Sequence, residues 1–121
     1  MINYDIAVTL SDHEDAQSAN DVFVQISGTE GSTEHLMCPS ETFSVAPGST
    51  VTCTVSSTVH IGDFACVTWT LDGDDGLQIA EFTTSIDGIK QATIVPPDGT
   101  WLDEGDGYST TETWCAPQGK L

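Results

Sequence analysis

The feature that most constrains the fold is a repeated alternation of apolar and polar side chains with a period of two. Apolar residues occupy every second position in four segments, Tyr4 to Leu10, Val22 to Ile26, Val51 to Val55 and Val67 to Leu71. Side chains alternate between the two faces of a β-strand, whereas an amphipathic helix needs apolar spacings of three and four. The alternation therefore predicts strands with one dry face and one wet face.

Clusters of Gly, Pro, Asp, Asn and Ser separate these segments and predict turns. Short strands divided by frequent turns are typical of an antiparallel sandwich or barrel. The expected fold class is all-β, in one domain covering residues 1–121. We predict eight strands, at 3–10, 21–27, 34–38, 42–45, 50–57, 64–71, 78–84 with 91–95 as a further short piece, and 108–115.

The charge of the chain restricts its partners. Nineteen acidic residues stand against two basic ones, Lys90 and Lys120, for a formal net charge of −17. Nucleic-acid binding needs clustered Lys and Arg, so we expect no nucleic-acid partner. Unaided binding to an anionic membrane is disfavoured by like-charge repulsion, which bound divalent cations would relieve. The alternative is that the acidity serves only solubility or salt adaptation.

The four cysteines predict two disulfides and an oxidising, extracellular location. Their spacing does not match a zinc site. Four cysteines allow three pairings, and strand facing slightly favours Cys66 with Cys115, because both point away from inward-facing neighbours. Cys38 then pairs with Cys53. The alternative is four reduced, buried thiols in a cytosolic protein.

Two acidic loops are candidate calcium sites. The loop Asp72-Gly73-Asp74-Asp75-Gly76 holds three carboxylates, and the loop Asp12-His13-Glu14-Asp15 could contribute others if both lie at the same end of the fold. Calcium prefers six to eight oxygen ligands, which carboxylates and backbone carbonyls supply. Neither the 72–76 loop nor the acidic segment 103–107 fits the EF-hand pattern. The alternative is an ordinary solvated Asp-Gly turn.

Several motifs together resemble a known family. They are Asp21-Val22-Phe23-Val24 with Gly28, then Ile61-Gly62-Asp63, and then Asp72 with Gly76. The chain is similar to a PLAT (LH2) domain, the β-sandwich module of lipoxygenases and lipases, over about residues 4–86 and the last strand. The resemblance implies an antiparallel β-sandwich of about eight strands, and calcium sites in the loop near Asp12 and the loop at Asp72. With the acidic loops it nominates six metal ligands, Asp12, Asp15, Asp21, Asp72, Asp74 and Asp75.

Trp101 and Leu102 form an apolar pair inside the polar loop 98–103. We predict that they contact a membrane interface or a partner, as tryptophan does in membrane belts and interface hot spots. The alternative is that the loop folds back over the core. Trp69 and Trp114 lie in alternating segments and are expected in the core.

An enzyme is not expected. His13, His35 and His60 stand near no recognisable nucleophile motif. No apolar run approaches the roughly 18 residues of a membrane-spanning helix, so we expect a soluble chain. The sequence therefore predicts a secreted, monomeric, non-catalytic binding module, supported by calcium, that contacts a membrane surface or a protein. The alternatives are a secreted acidic structural or mineral-associated calcium-binding protein, and a small toxin or inhibitor module that binds a protein.

Overall fold

A computed structural model describes residues 1–105 and 108–116. The described chain is all-β, an antiparallel β-sandwich that confirms the expected fold class. A four-stranded sheet has the order β5-β1-β7-β8, and a five-stranded sheet has the order β3-β2-β6-β9 with β4 also paired to β2. The strands are β1 Ile2–Leu10, β2 Asp21–Gly28, β3 Gly31–Ser32, β4 Leu36–Met37, β5 Thr50–Ser57, β6 Phe64–Asp72, β7 Ile79–Ile86, β8 Ile89–Ile94 and β9 Thr111–Cys115.

The core lies between the sheets and is built from the alternating positions. Tyr4, Ile6 and Val8 of β1 are fully buried, as is Trp69 of β6. The Trp69 ring makes edge contacts with the rings of Phe43 and Phe82, at centroid distances of 6.1 and 5.2 Å. Trp69 thus joins the two sheets and an intervening loop. The expectation of a core position is confirmed for Trp69, whereas Trp114 is only half-buried and packs against the core.

The strand boundaries differ from the expectation in places where loops pack on the core. The predicted strand 42–45 is a turn, held by backbone hydrogen bonds from Thr42 to Pro39 and from Ser44 to Glu41. Phe43 is nevertheless 2 % exposed. Its apolar character reflects burial in the core rather than strand pairing.

The segment 78–95 forms a β-hairpin. β7 and β8 pair directly and are joined by Asp87-Gly88, both with positive φ, 49° and 84°. An Asp-Gly pair with this conformation is a strong two-residue hairpin signal, because its twist matches that of the flanking strands. The sequence interpretation identified both strands but not this turn.

Both disulfides of the favoured pairing are present. Cys66 and Cys115 are directly opposite each other in the β6–β9 register and link two neighbouring strands. Cys38 and Cys53 are buried, and they join the end of β4 in one sheet to β5 in the other. The bond between Cys66 and Cys115 therefore fixes the edge strand β9 to β6, and the bond between Cys38 and Cys53 links the two sheets.

Gly28, part of the family resemblance, is required by a close approach of backbone. A Cβ atom at this position would collide with the carbonyl oxygens of Ile61 and Asp63. The amides of Thr29 and Glu30 donate to those same two carbonyls, at 3.0 and 2.7 Å. The glycine therefore lets the end of β2 dock on the 61–63 loop.

Candidate binding site at the loop end

The two acidic loops, 12–15 and 72–76, lie together at one end of the sandwich, which we call the loop end. The backbone amide of Ala19 donates to the Asp75 carboxylate at 2.9 Å, and the Ser18 hydroxyl donates to the Asp75 carbonyl. With its amide oriented to satisfy both donors, the Asn20 side-chain oxygen accepts from the amides of Asp74 and Asp75, at 2.9 and 2.8 Å. The 72–76 loop is therefore ordered by hydrogen bonds with residues 18–20.

Gly73 makes this contact possible. Its φ is 141°, and a Cβ atom there would collide with the Asn20 side chain. Glycine is the residue that adopts such a conformation without steric cost. Gly73 thus leaves space for the amide side chain of Asn20.

A depression of about 410 Å³ opens beside these loops. The His13 and Trp101 rings meet in a T-shaped contact with a centroid distance of 5.2 Å. The lining also includes Gly76, and the remaining residues are polar or aromatic. Together the lining consists of His13, Asp15, Asp75, Gly76, Trp101, Asp103 and Tyr108.

The six candidate metal ligands are spread over this end of the fold rather than gathered at one point. Asp15 and Asp75 reach the depression. Asp21 and Asp72 face each other as cross-strand partners at the edge of β2 and β6, and both are exposed. Asp12 lies near Gly48. Like charges directly opposite each other in a sheet destabilise it, so the Asp21 and Asp72 pair is a local source of repulsion.

Calcium fits the donor chemistry of this end but not its arrangement. Carboxylates are the hard oxygen ligands that calcium prefers. Among the residues that the structure describes, however, no three His, Cys, Asp or Glu side chains are grouped closely enough to hold a metal ion. Asp75 is already engaged with Ala19. The described carboxylates therefore form no preassembled calcium centre, and we assign the ion no defined set of ligands.

Trp101 and Leu102 lie in different environments. Trp101 is half-buried and faces the depression, whereas Leu102 is 1 % exposed and belongs to the core. The amide of Leu102 donates to the Leu77 carbonyl at 2.9 Å, and the reverse bond has the same length. The prediction that Leu102 contacts a partner is thus corrected, because this backbone pairing turns its side chain inward.

Two lining residues were missed in the sequence. Asp103 and Tyr108 reach the depression from the 96–110 segment, where the backbone amide of Asp103 donates to the Ser109 carbonyl at 3.1 Å. From the sequence, Asp103 was expected in the polar loop 98–103 and Tyr108 at the start of the predicted strand 108–115, and neither was predicted to line a site. The signal that could have found Asp103 is its position two residues after Trp101, since alternate residues of an extended segment point to the same side.

Two side chains with shifted pKa values lie away from the loop end. Burial, followed by the nearby charges of Asp87 and Glu34, raises the pKa of Tyr4. Hydrogen bonds from its own backbone and from the Ser57 hydroxyl lower the pKa of Glu34. Tyr4 lies near the start of β1, whereas the 11–20 loop follows the other end of this strand.

Comparisons with known proteins identify the fold. No family model matches the chain, and no curated protein matches it. Among solved structures, a lipoxygenase variant in complex with arachidonate matches with a TM-score of 0.77 and 18 % identity, over 100 % of this chain and 17 % of the other. The coral 8R-lipoxygenase, described as calcium-activated via a C2-like domain, matches with a TM-score of 0.73 and 18 % identity, over 93 % of this chain and 16 % of the lipoxygenase. The alpha toxin of Clostridium absonum matches with a TM-score of 0.67 and 14 % identity, over 92 % of this chain and 30 % of the toxin.

The chain thus spans about a sixth of the length of the lipoxygenases that it matches. At this level of identity the likeness shows the fold alone. It supports the PLAT-like β-sandwich that the sequence resemblance implies.

Within the described ranges, the structure contains no helix long and apolar enough to cross a lipid bilayer.

Proposed function

We propose that this chain is a non-catalytic binding module of the PLAT type, whose loop end contacts a lipid surface or a partner protein. One observation carries the proposal, which is that the half-buried ring of Trp101 lines the same depression as Asp15 and Asp75. A concave site that combines an aromatic ring with a few polar groups is the usual form of a recognition site. The calcium activation described for the coral 8R-lipoxygenase adds support from a protein of the same fold.

The absence of catalysis in this proposal is supported by the chemistry of the chain. All four cysteines are in disulfides, so none offers a thiolate nucleophile. The Nδ1 atom of His13 accepts a hydrogen bond from the Asp15 amide at 3.4 Å, and its ring packs on Trp101. The two disulfides also support our proposal of an extracellular location, where such bonds persist.

Calcium enters the proposal as an ion that reduces charge repulsion at the loop end. The exposed, opposed carboxylates of Asp21 and Asp72 and the net charge of −17 support this role. A bound divalent cation offsets such repulsion and stabilises the folded state by mass action. Because the carboxylates are not preassembled, we expect weak binding, in the range of about 10⁻⁴ to 10⁻³ M that is found in extracellular modules.

Millimolar calcium is therefore expected to raise the melting temperature by about 3–8 °C. Differential scanning calorimetry with calcium, with magnesium and with chelator measures the shift, and magnesium should act more weakly because it dehydrates reluctantly. The variant Asp72→Asn should melt higher without calcium and gain less from it, whereas Glu81→Gln, on β7, should respond like the parent. An unchanged melt in calcium would contradict this role. Many equivalent weak sites in a titration would instead favour the mineral-associated alternative.

Contact with lipid is tested by tryptophan emission. Vesicles of phosphatidylcholine and phosphatidylserine with calcium are expected to shift the emission to the blue, because the Trp101 ring would leave water for the interface. Without calcium the shift should be absent, since a chain of charge −17 is repelled by anionic head groups.

The variant Trp101→Ala should remove most of this shift, whereas Trp69→Phe should keep it, because Trp69 is fully buried. Asp72→Asn should weaken the calcium dependence. Emission that stays unchanged with vesicles and calcium would sink the lipid form of the proposal and leave a protein as the partner.

A further inference from the structure

The depression at the loop end combines two kinds of group that rarely meet in a metal site. The rings of Trp101 and Tyr108 line it together with the carboxylates of Asp15, Asp75 and Asp103. Its volume of about 410 Å³ is in the range of sites that enclose a small ligand or a projecting side chain. Aromatic rings add nothing to a calcium shell, which takes oxygen ligands only.

An organic cation satisfies both kinds of group at once. The face of a tryptophan or tyrosine ring attracts an ammonium or guanidinium group through its quadrupole, most strongly for tryptophan. Carboxylates bind the same groups with charge-assisted hydrogen bonds, and arginine can bind one through two parallel bonds. The Trp101 ring also makes a T-shaped contact with the imidazole ring of His13, at a centroid distance of 5.2 Å.

We infer that this depression receives a Lys or Arg side chain from a basic segment of a partner protein. The inference rests on the proposed function and names the partner's chemistry. The net charge of −17 favours a basic protein, since it steers a cationic partner toward the surface over long range. A phosphatidylcholine head group carries a phosphate beside its ammonium, and the three carboxylates repel that phosphate.

Gly76 lies where the carboxylate of Asp103 and the ring of Trp101 come close to the backbone. A Cβ atom at this position would lie 3.0 Å from Oδ2 of Asp103 and 3.3 Å from Cε3 of Trp101. The backbone of Gly76 lies outside the left-handed region, so an alanine is free to adopt its conformation. The substitution Gly76→Ala therefore narrows the depression between ring and carboxylate without changing the charge of the protein.

The test is the binding of a labelled peptide of alternating lysine and serine, measured by fluorescence polarisation against a matched peptide of glutamine and serine. The lysine peptide is expected to bind and the glutamine peptide is not. Trp101→Ala is expected to weaken binding roughly tenfold, and Asp103→Asn and Gly76→Ala several-fold each. Glu81→Gln, which removes one exposed carboxylate that does not line the depression, should change binding less than twofold. A thermal melt of each variant verifies that it is folded.

Two results would overturn the inference while leaving the proposed function intact. One is equal weakening by Glu81→Gln and Asp103→Asn with no effect of Trp101→Ala or Gly76→Ala, which would mean diffuse attraction to the acidic surface. The other is binding to phosphatidylcholine vesicles, lost in Trp101→Ala, without binding to the lysine peptide. Binding to neither peptide nor vesicles would overturn the inference together with the lipid form of the proposed function.

Discussion

Replacing Trp69 with alanine is expected to lower the free energy of unfolding by about 3–5 kcal/mol. Trp69 is fully buried, and its ring contacts Phe43 and Phe82. The substitution removes the largest side chain of the core and leaves a cavity that neighbours on two sheets and a loop cannot fill together. Because single domains are stable by only about 5–15 kcal/mol, this change removes a large fraction of the total.

Urea denaturation followed by circular dichroism measures the effect, since tryptophan emission is itself altered by the change. A matched control is Trp101→Ala, which deletes the same side chain from a half-buried position at the loop end and should cost less than about 1 kcal/mol. The loss of unfolding free energy in Trp69→Phe should lie between those of Trp69→Ala and Trp101→Ala. Equal losses for Trp69→Ala and Trp101→Ala would mean that the core is not centred on Trp69.

Loss of the disulfides is the second large effect. In the chain-entropy account, the bond between Cys38 and Cys53 closes a loop with a sequence separation of 15, and the bond between Cys66 and Cys115 one of 49. These separations correspond to about 3 and about 4 kcal/mol of restriction on the unfolded chain. Burial adds to the first, because Cys38 and Cys53 are 1 % and 0 % exposed and their removal also loosens the packing between the sheets.

We therefore expect the paired variants Cys38→Ala with Cys53→Ala and Cys66→Ala with Cys115→Ala each to melt at least about 10 °C below the parent. Calorimetry of both variants, and of the parent with and without reductant, gives the comparison. Intact mass after alkylation without reductant provides the control that the parent carries no free thiol. If reductant leaves the melting temperature of the parent unchanged while its thiols become labelled, the disulfides do not stabilise this fold.

Local patterns in the sequence predicted much of the architecture. The alternation in the first strand specifies which side chains of Tyr4 to Leu10 point inward, and the structure buries Tyr4, Ile6, Val8 and Leu10. The facing argument for Cys66 and Cys115 works for the same reason, since burial alternates without a break from Cys66 to Leu71 and throughout β9. Periodicity is a property of neighbouring residues, so it can be read without the rest of the fold.

Phe43 and Leu102 show where local patterns are insufficient. Phe43 is apolar and buried, yet its segment is a turn. Leu102 lies in a polar loop, yet its backbone pairs with Leu77 and its side chain enters the core. An apolar residue in the sequence indicates that its side chain is buried. It does not indicate whether a strand, a turn or a loop carries it, because that depends on segments that pack from elsewhere in the chain.

By itself the sequence determined the all-β class, the inward faces of the long strands, the acidity and the presence of two acidic loops, because each depends on composition or on adjacent residues. Only the tertiary structure decided how the loop side chains meet. It separated the six candidate metal ligands, ordered the 72–76 loop through residues 18–20, and brought Asp15 and Asp75 to Trp101 and Asp103. The physical reason is that these side chains lie on three loops far apart in the chain, and strand pairing together with hydrogen bonds between the loops sets the distances between them.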